Sequence, residues 1–382
     1  MDNLVDGCAK AQLNVVRIGR PEATRTDLEQ YNLLEMVKGM DPKSQFGRQK
    51  SILSDADVVC ATCSGADHPL IQHLTFARVL LDEAAQATEL STLVPLMKMK
   101  AEACVTLVGD HRQLPPTISN IQVDVEGFGT SLFERMAGQG VHPFLLNVQY
   151  RMHPCISAFP SSMYYRGQIL SGVPGAKRQA PQGIAWPVVE VPVTFLPVAG
   201  RELSEGTSWS NKSEVEAVQE LLKSLCAWDD ITPEEIGIIT PYAAQARLLR
   251  RTLGCPPPGQ RSAGGLNVEV SSVDGFQGRE KDVIIVSTVR ANASGNVGFV
   301  GDPRRLNVTL TRAKRGLVVV GCFETLSHDE HGWGAWLNWA QERGLVAGCS
   351  ATLPEAAEAL SSLGSLSTQQ LLSLGSREQF PC

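Results

Sequence analysis

The sequence has no surplus of positive charge. Its 34 Lys and Arg stand against 40 Asp and Glu, a formal net charge of -6. That excludes a protein that coats nucleic acid by bulk charge, but leaves room for a local basic channel, because the field depends on where the charges sit. No apolar stretch approaches the roughly 18 residues of a membrane span, so no membrane partner is expected. The opening Met1-Asp2-Asn3-Leu4-Val5-Asp6 has neither the basic nor the apolar region of a signal peptide, and a cytoplasmic or nuclear location is expected. The ten cysteines are scattered, as in a reducing compartment. Cys60 and Cys63 form the only C-x-x-C pair. With no second pair or His cluster beside it, a zinc site is not expected. Nor does a Gly-Lys dipeptide occur anywhere.

What is present is a soluble globular composition, 43% hydrophobic and 19% charged over 382 residues. At roughly 100–200 residues per domain this predicts two or three domains. Apolar runs ending in Gly or polar residues alternate with helical patterns, which signals a parallel α/β sheet. The first series predicts a helix over 2–13, strands over 14–19, 57–66, 79–83 and 104–110, a polar helical stretch over 26–40, and helices over 86–98 and 131–136. A second series predicts strands over 193–196, 236–240, 268–270, 283–287 and 317–320. Its helices are expected over 213–226, capped by Asn211 or Ser213, and over 243–253 and 307–314. Residues 171–187 and 255–265 read as surface loops. The Ser/Leu-rich tail is expected to be loosely ordered. The domain limits expected are 1–137, 138–345 and a tail over 346–382.

Val79-Leu80-Leu81-Asp82-Glu83-Ala84-Ala85-Gln86 runs from an aliphatic strand straight into two acids. A continuous apolar run reads as a strand buried on both faces. Carboxylates at its C-terminal end would emerge where open α/β sheets bind ligands. There one acid can hold Mg²⁺ through its waters and the other can orient or deprotonate an attacking water. The eight residues alone fit a strand ending in a polar turn equally well. Four further segments carry side chains able to touch a ligand. They are Gly109-Asp110-His111-Arg112-Gln113, Asn147 to Pro154 with Gln149-Tyr150-Arg151, Asp274 to Glu280 with Gly278-Arg279-Glu280, and Asn307 to Lys314. Arg304, Arg305, Arg312, Lys314 and Arg315 form the one visible basic cluster. Helical spacing lets only some of these face one side, so Arg304, Arg305 and Arg315 are assigned to the surface or to structural pairs.

In this order the segments resemble the superfamily 1 helicases, in the branch that holds the nonsense-transcript helicase, senataxin and the immunoglobulin-mu-binding helicase. The resemblance runs from Asp2 to about Trp339. It implies an α/β fold of two RecA-like parallel-sheet domains, and an ATP-dependent helicase working with ATP and Mg²⁺ on single-stranded RNA or DNA. It also implies the roles. Asp82 would be the Mg²⁺ ligand and Glu83 the water-activating acid. Gln113 would sense the γ-phosphate, Tyr150 would stack on adenine, and Arg151 would reach the γ-phosphate. Gly278 would pack near the phosphates, Glu280 would meet the ribose, and Arg312 would be the arginine finger. Thr62 and Ser64 in the first domain, and Thr240 and Tyr242 in the second, would contact the nucleic-acid backbone without reading sequence.

One departure matters. A P-loop motor needs G-x-x-x-x-G-K-[ST], whose backbone cradles phosphate and whose Lys neutralises it. The matching segment would lie upstream of Met1, so the first domain is expected to be incomplete, either as a fragment of a working helicase or as a truncated protein. A truncated chain is expected to show no ATP turnover and weak nucleotide affinity, and to expose a hydrophobic edge in its first domain. The second domain is expected to fold by itself. The alternative function is a non-catalytic nucleic-acid-binding or protein-interaction module derived from a helicase.

Overall fold

A computed structural model describes residues 1–118, 120–257 and 266–348. Most of the Pro/Gly loop expected over 255–265, and nearly all of the tail expected over 346–382, lie outside these residues. The described chain forms two compact units. One holds residues 1–111 and 115–143, the other residues 112–114 and the chain from Phe144 onward.

In the first unit α1 (Asp2–Lys10), β1 (Val15–Arg17), α2 (Pro42–Ser54) and β2 (Val58–Cys60) are followed by β3 (Phe76–Leu81), α3 (Glu89–Leu96) and β4 (Met99–Leu107). Two short helices close it, α4 (Ile121–Val123) and α5 (Leu132–Gly138). Among the described residues its named strands pair in parallel but in two separate pairs, β1 with β2 and β3 with β4. The expectation of strands buried on both faces is corrected here. Leu80 is 56% exposed, and Val105 and Val108 are 37% exposed. Among the described residues β3 and β4 pair in a sheet of two strands with α3 packed against them, which leaves part of their apolar surface uncovered.

The stretch 26–40 is not an α-helix but two 3₁₀ turns, Thr26–Tyr31 and Glu35–Val37. Buried Asn32 separates them. Its side chain accepts from Leu34 N at 3.0 Å and donates to Gly19 O and Thr24 Oγ1. Such side-chain bonds compete with the helical ladder. The helix forms later, as α2. Asp41 caps it by accepting from Ser44 N, and Pro42 occupies the first turn, both start signals.

The second unit begins with β5 (Val148–Gln149), α6 (Pro154–Tyr165), β6 (Leu170–Ser171) and β7 (Val193–Pro197), then the hairpin β8 (Leu203–Glu205) and β9 (Ser208–Ser210). α7 (Lys212–Cys226), β10 (Ile236–Thr240), α8 (Ala243–Leu253), β11 (Glu269–Ser272), α9 (Val273–Phe276) and β12 (Lys281–Ser287) follow. It ends with α10 (Pro303–Leu310), β13 (Ala313–Gly321), α11 (Phe323–Leu326) and α12 (Trp333–Glu342). Five strands form one parallel sheet in the order β11-β10-β12-β13-β7. Side chains alternate across it. Ile284, Val286, Leu317 and Val319 enter one core with Phe195, Phe276 and Trp336, while Val283, Ile285, Val318 and Val320 enter the other with Val218, Leu222 and Leu249. Both faces are therefore covered, as a parallel sheet requires. Gly237 leaves room for this packing, since a Cβ there would lie 2.9 Å from Ile284 Cδ1.

The helix expected over 307–314 sits four residues earlier. Asp302 caps α10 through Arg304 N and Arg305 N, and Pro303 opens it. Thr311 Oγ1 donates back to Asn307 O at 2.8 Å and closes its end. Arg312 is thus placed in the turn into β13, and Lys314 in the strand. Limited proteolysis is expected to leave a stable fragment beginning near Phe144, because this unit has a core on each face of its sheet. A digest with no stable fragment of about 200 residues would contradict it.

Candidate functional site

In the first unit, Leu81 is buried and the two residues after it, Asp82 and Glu83, are exposed. Glu83 N donates to Asp82 Oδ1 at 3.0 Å, and Gln86 Nε2 donates to the Glu83 carboxylate. Glu83 has φ +53°, a left-handed backbone that costs a non-glycine residue about 1 kcal/mol. Strain of this kind concentrates at functional turns. The turn is stitched to the next strand by Ala84 N donating to Val108 O and Val108 N donating to Leu81 O, both at 2.8 Å. Gly109 makes that approach possible, because a Cβ there would stand 2.8 Å from Ala85 N. Thr62 and Ser64 are placed on a turn after β2, where Thr62 Oγ1 accepts from Gly65 N at 3.0 Å.

In the second unit, residues far apart in sequence meet at the N-terminal ends of β12 and β13. Arg151 donates through Nε to Glu280 Oε2 at 2.5 Å and through Nη1 to Thr311 O at 3.0 Å. Lys314 Nζ lies 3.0 Å from the other Glu280 oxygen. Burial pushes the Glu280 carboxyl up, but Arg151 and Lys314 together outweigh it and hold it below its ordinary value. Arg312 is 2% exposed. It donates to Val308 O at 3.1 Å, to Thr311 Oγ1 at 2.9 Å and to Gln113 Oε1 at 3.3 Å. Gly278, with φ +72°, makes the turn that delivers Glu280. Tyr150 is 62% exposed.

The turn carrying Tyr150 and Arg151 is held from within. Gln149 Oε1 accepts from Arg151 N and Met152 N at 2.9 and 2.7 Å. His153 N donates to Lys314 O at 2.8 Å, tying this turn to β13. The His153 ring is buried, which pulls its pKa down to about 4. The neutral ring accepts from Cys155 N at 3.1 Å and caps α6.

Thr240 and Tyr242 lie at the opposite, C-terminal edge of the same sheet. The Thr240 side chain is fully buried, with no partner for Oγ1 among the described residues. Tyr242 is 6% exposed, and its hydroxyl accepts from Arg290 Nη1 at 3.3 Å. Arg290 in turn forks onto Glu202 through Nε and Nη2 at 2.9 and 3.2 Å. Neither Thr240 nor Tyr242 offers its side chain to a phosphate here. Arg305 pairs with Asp302 at 2.6 Å and Arg315 with Asp230 at 2.8 Å. Sequence reasoning missed the part played by Thr311, whose carbonyl anchors Arg151. Lys314 reads in the sequence only as one member of a charge cluster.

The residues suit ATP and Mg²⁺. Among the described residues no group of three or more His, Cys, Asp or Glu could hold a metal ion. Mg²⁺ is commonly held by one or two carboxylates, waters and phosphates, which exposed Asp82 matches. Beside the second cluster, Gln277 Nε2 and Asn307 Oδ1 are buried without a partner among the described residues.

Two units of parallel strands with flanking helices, one carrying paired acids after a strand and the other arginines, a glutamate and an exposed tyrosine at a sheet edge, define a RecA-like α/β protein. Two family models, each described as an AAA domain, match residues 40–120 and 128–324. A "Regulator of nonsense transcripts 1 homolog" from Neurospora crassa is 42% identical over 74% of this chain and 26% of its own length. "ATP-dependent helicase NAM7" from Saccharomyces cerevisiae is 42% identical over 91% of this chain and 35% of its own length. Among solved structures, the arterivirus nonstructural protein 10 helicase aligns at TM-score 0.42 with 12% identity, over 86% of this chain and 52% of that one. The Pyrococcus furiosus Hef helicase domain aligns at TM-score 0.30 with 10% identity, over 88% and 92%. These superpositions are loose, and the assignment rests on the sequence matches. The chain belongs to the AAA-domain family, in the superfamily 1 helicase branch of the regulators of nonsense transcripts. It spans between 21% and 35% of the length of the first four curated relatives it matches.

Proposed function

We propose that the chain supplies most of the core of an ATP-dependent helicase that couples ATP hydrolysis to movement on single-stranded RNA or DNA. The observation that carries this reading is the meeting of Arg151 with Glu280 and of Arg312 with Gln113, pairs 129 and 199 residues apart in sequence. A protein with no phosphate to handle has no physical need to gather them. Bound ATP with Mg²⁺ supplies the phosphoanhydride to be cleaved. Asp82 would hold the metal, and Glu83 would orient a water and take its proton. Gln113 can donate to phosphate and accept from that water. Arg151 and Arg312 offer permanent charge in a planar fork, and Tyr150 offers a ring face to the base.

Thr62 and Ser64 hydrogen-bond the nucleic-acid backbone. The Thr240–Tyr242 turn contributes through its backbone and by positioning, since its side chains are buried. The protein works in the cytoplasm or nucleus. The reading requires a phosphate loop that none of these 382 residues provides, so turnover is expected only when the chain is joined to one. In such a chain Glu83→Gln is expected to keep single-strand binding and to lose turnover by at least about 10². Single-strand-stimulated ATP hydrolysis, measured with and without this substitution, tests the reading. Turnover that survives Glu83→Gln would sink the assignment of the acid.

A further inference from the structure

The turn that presents Tyr150 is braced by two residues outside the segments that define the site. Tyr150 is exposed, but part of its ring rests against backbone. It lies on Gly172, where a Cβ would stand 2.6 Å from Tyr150 Cδ1 and 2.9 Å from Cζ. Gly172 is itself fixed. β5 and β6 pair in parallel with Gln149 opposite Ser171, and Gly172 N donates to Gln149 O at 2.7 Å. Arg178, from the loop that follows, donates through Nε to Arg151 O at 3.0 Å and through Nη2 to Tyr150 O at 3.3 Å. One guanidinium thus holds the carbonyls of both residues. The φ of Gly172 is not in the left-handed region, so conformational freedom is not why glycine stands there. The need is space for a ring.

We propose that Gly172 and Arg178 are positioning residues for base recognition. Gly172 gives the Tyr150 ring a flat seat that leaves its other face open to an adenine. Arg178 fixes the turn so that this face and the Arg151 guanidinium are presented together. The proposal rests on the reading that Tyr150 stacks on the base. Preorganising a ring before binding removes the ordering cost from the binding step. A methyl at 172 displaces the far end of an exposed side chain rather than backbone, so Gly172→Ala leaves the fold intact and moves the ring.

The test compares ATP with inorganic tripolyphosphate, which lacks the base, by calorimetric titration of the chain joined to a phosphate-loop segment and of its variants. The wild type is expected to bind ATP more tightly than tripolyphosphate, and Tyr150→Ala to abolish that preference. Gly172→Ala is expected to reduce the preference about tenfold, within the range that aromatic stacking on a base supplies, with tripolyphosphate affinity unchanged. Adding Gly172→Ala to Tyr150→Ala should cost nothing more. Arg178→Lys, which keeps charge but loses the fork, should fall between wild type and Arg178→Ala. If Tyr150→Ala loses the base preference while Gly172→Ala and Arg178→Ala keep it, the positioning roles are wrong and the stacking role stands. If the wild type shows no base preference, the stacking role falls and the positioning roles fall with it. An equal loss of ATP and tripolyphosphate affinity in Gly172→Ala would show general damage and overturn the proposal.

Discussion

Arg312→Ala, in a chain that carries a phosphate loop, is expected to lower single-strand-stimulated ATP turnover by about 10³-fold or more, the scale set by arginine fingers elsewhere. The geometry favours a large effect. The guanidinium is 2% exposed and already anchored through Nε to Val308 O and through Nη2 to Thr311 Oγ1 and Gln113 Oε1. A charge held in place before the reaction needs no reorganisation when charge develops on a phosphoryl group. Arg312→Lys should recover little, because an ammonium cannot make these contacts at once. Gln113→Ala, which leaves Arg312 its other contacts, should uncouple turnover from nucleic acid while retaining single-strand binding. Steady-state hydrolysis beside a thermal melt for each variant checks both. If a folded Arg312→Ala protein keeps turnover within about tenfold of wild type, Arg312 is not the finger.

The second large effect concerns stability. Glu214 is fully buried in the first turn of α7. It accepts from Ser287 Oγ at 2.6 Å and from Val289 N at 2.9 Å. Gln245 joins this network by donating to Ser287 Oγ at 2.9 Å, and Asn211 Nδ2 lies 3.5 Å from Glu214 Oε1. The network pins Val289 at φ +74°, a conformation a β-branched residue rarely adopts. Burial pushes the Glu214 carboxyl up to about 8 despite these bonds. Its folded value thus lies above the unfolded value of 4.5. The contribution is full below the unfolded value and is lost as pH rises through the folded one. Between those two values each pH unit removes about 1.4 kcal/mol.

His153 acts in the other direction and lower. Its pKa falls from 6.5 to about 4 in the fold, so its contribution is present above about 6.5 and lost on acidification. The buried thiols of Cys60 and Cys155, raised from 9.0 to about 11 and about 12, titrate above this range. Between about pH 7 and 8, thermal stability should therefore fall with Glu214 as the main cause. Glu214→Gln keeps an acceptor for Val289 N and should flatten that slope. A slope unchanged by the substitution would show that Glu214 does not carry it.

Most strands and helices of the second unit were legible because each announces itself locally. The apolar runs at 236–240, 283–287 and 317–320 could only be buried strands, and Asn211 capped α7 as its sequence position allowed. α10 was misplaced because its start depends on Asp302-Pro303, upstream of the segment Asn307 to Lys314 that was read as the helix. In the first unit an exposed hydrophobic edge was expected, but not which strand shows it, because burial of Leu80 depends on what packs beside and over β3, and no run of residues states that. The site shows the same division. Asp82, Glu83, Gln113, Tyr150, Arg151, Glu280 and Arg312 were named from ordered segments through the family resemblance, and their roles stand as proposals. The Arg151–Glu280 pairing, the anchoring carbonyl of Thr311 and the seat on Gly172 exist only once the chain is folded. Thr240 and Tyr242 were found at their strand end, but that they point inward follows from packing.

We propose that these residues act on ATP under the control of a single strand. The measurement that tests it most directly is ATP hydrolysis by this chain joined to a phosphate-loop segment, with and without single-stranded RNA or DNA. The predicted result is turnover that rises when the single strand is added and disappears in Arg312→Ala. A folded protein that binds the strand but shows no stimulated turnover would contradict the account, and would leave a non-catalytic nucleic-acid-binding module in its place.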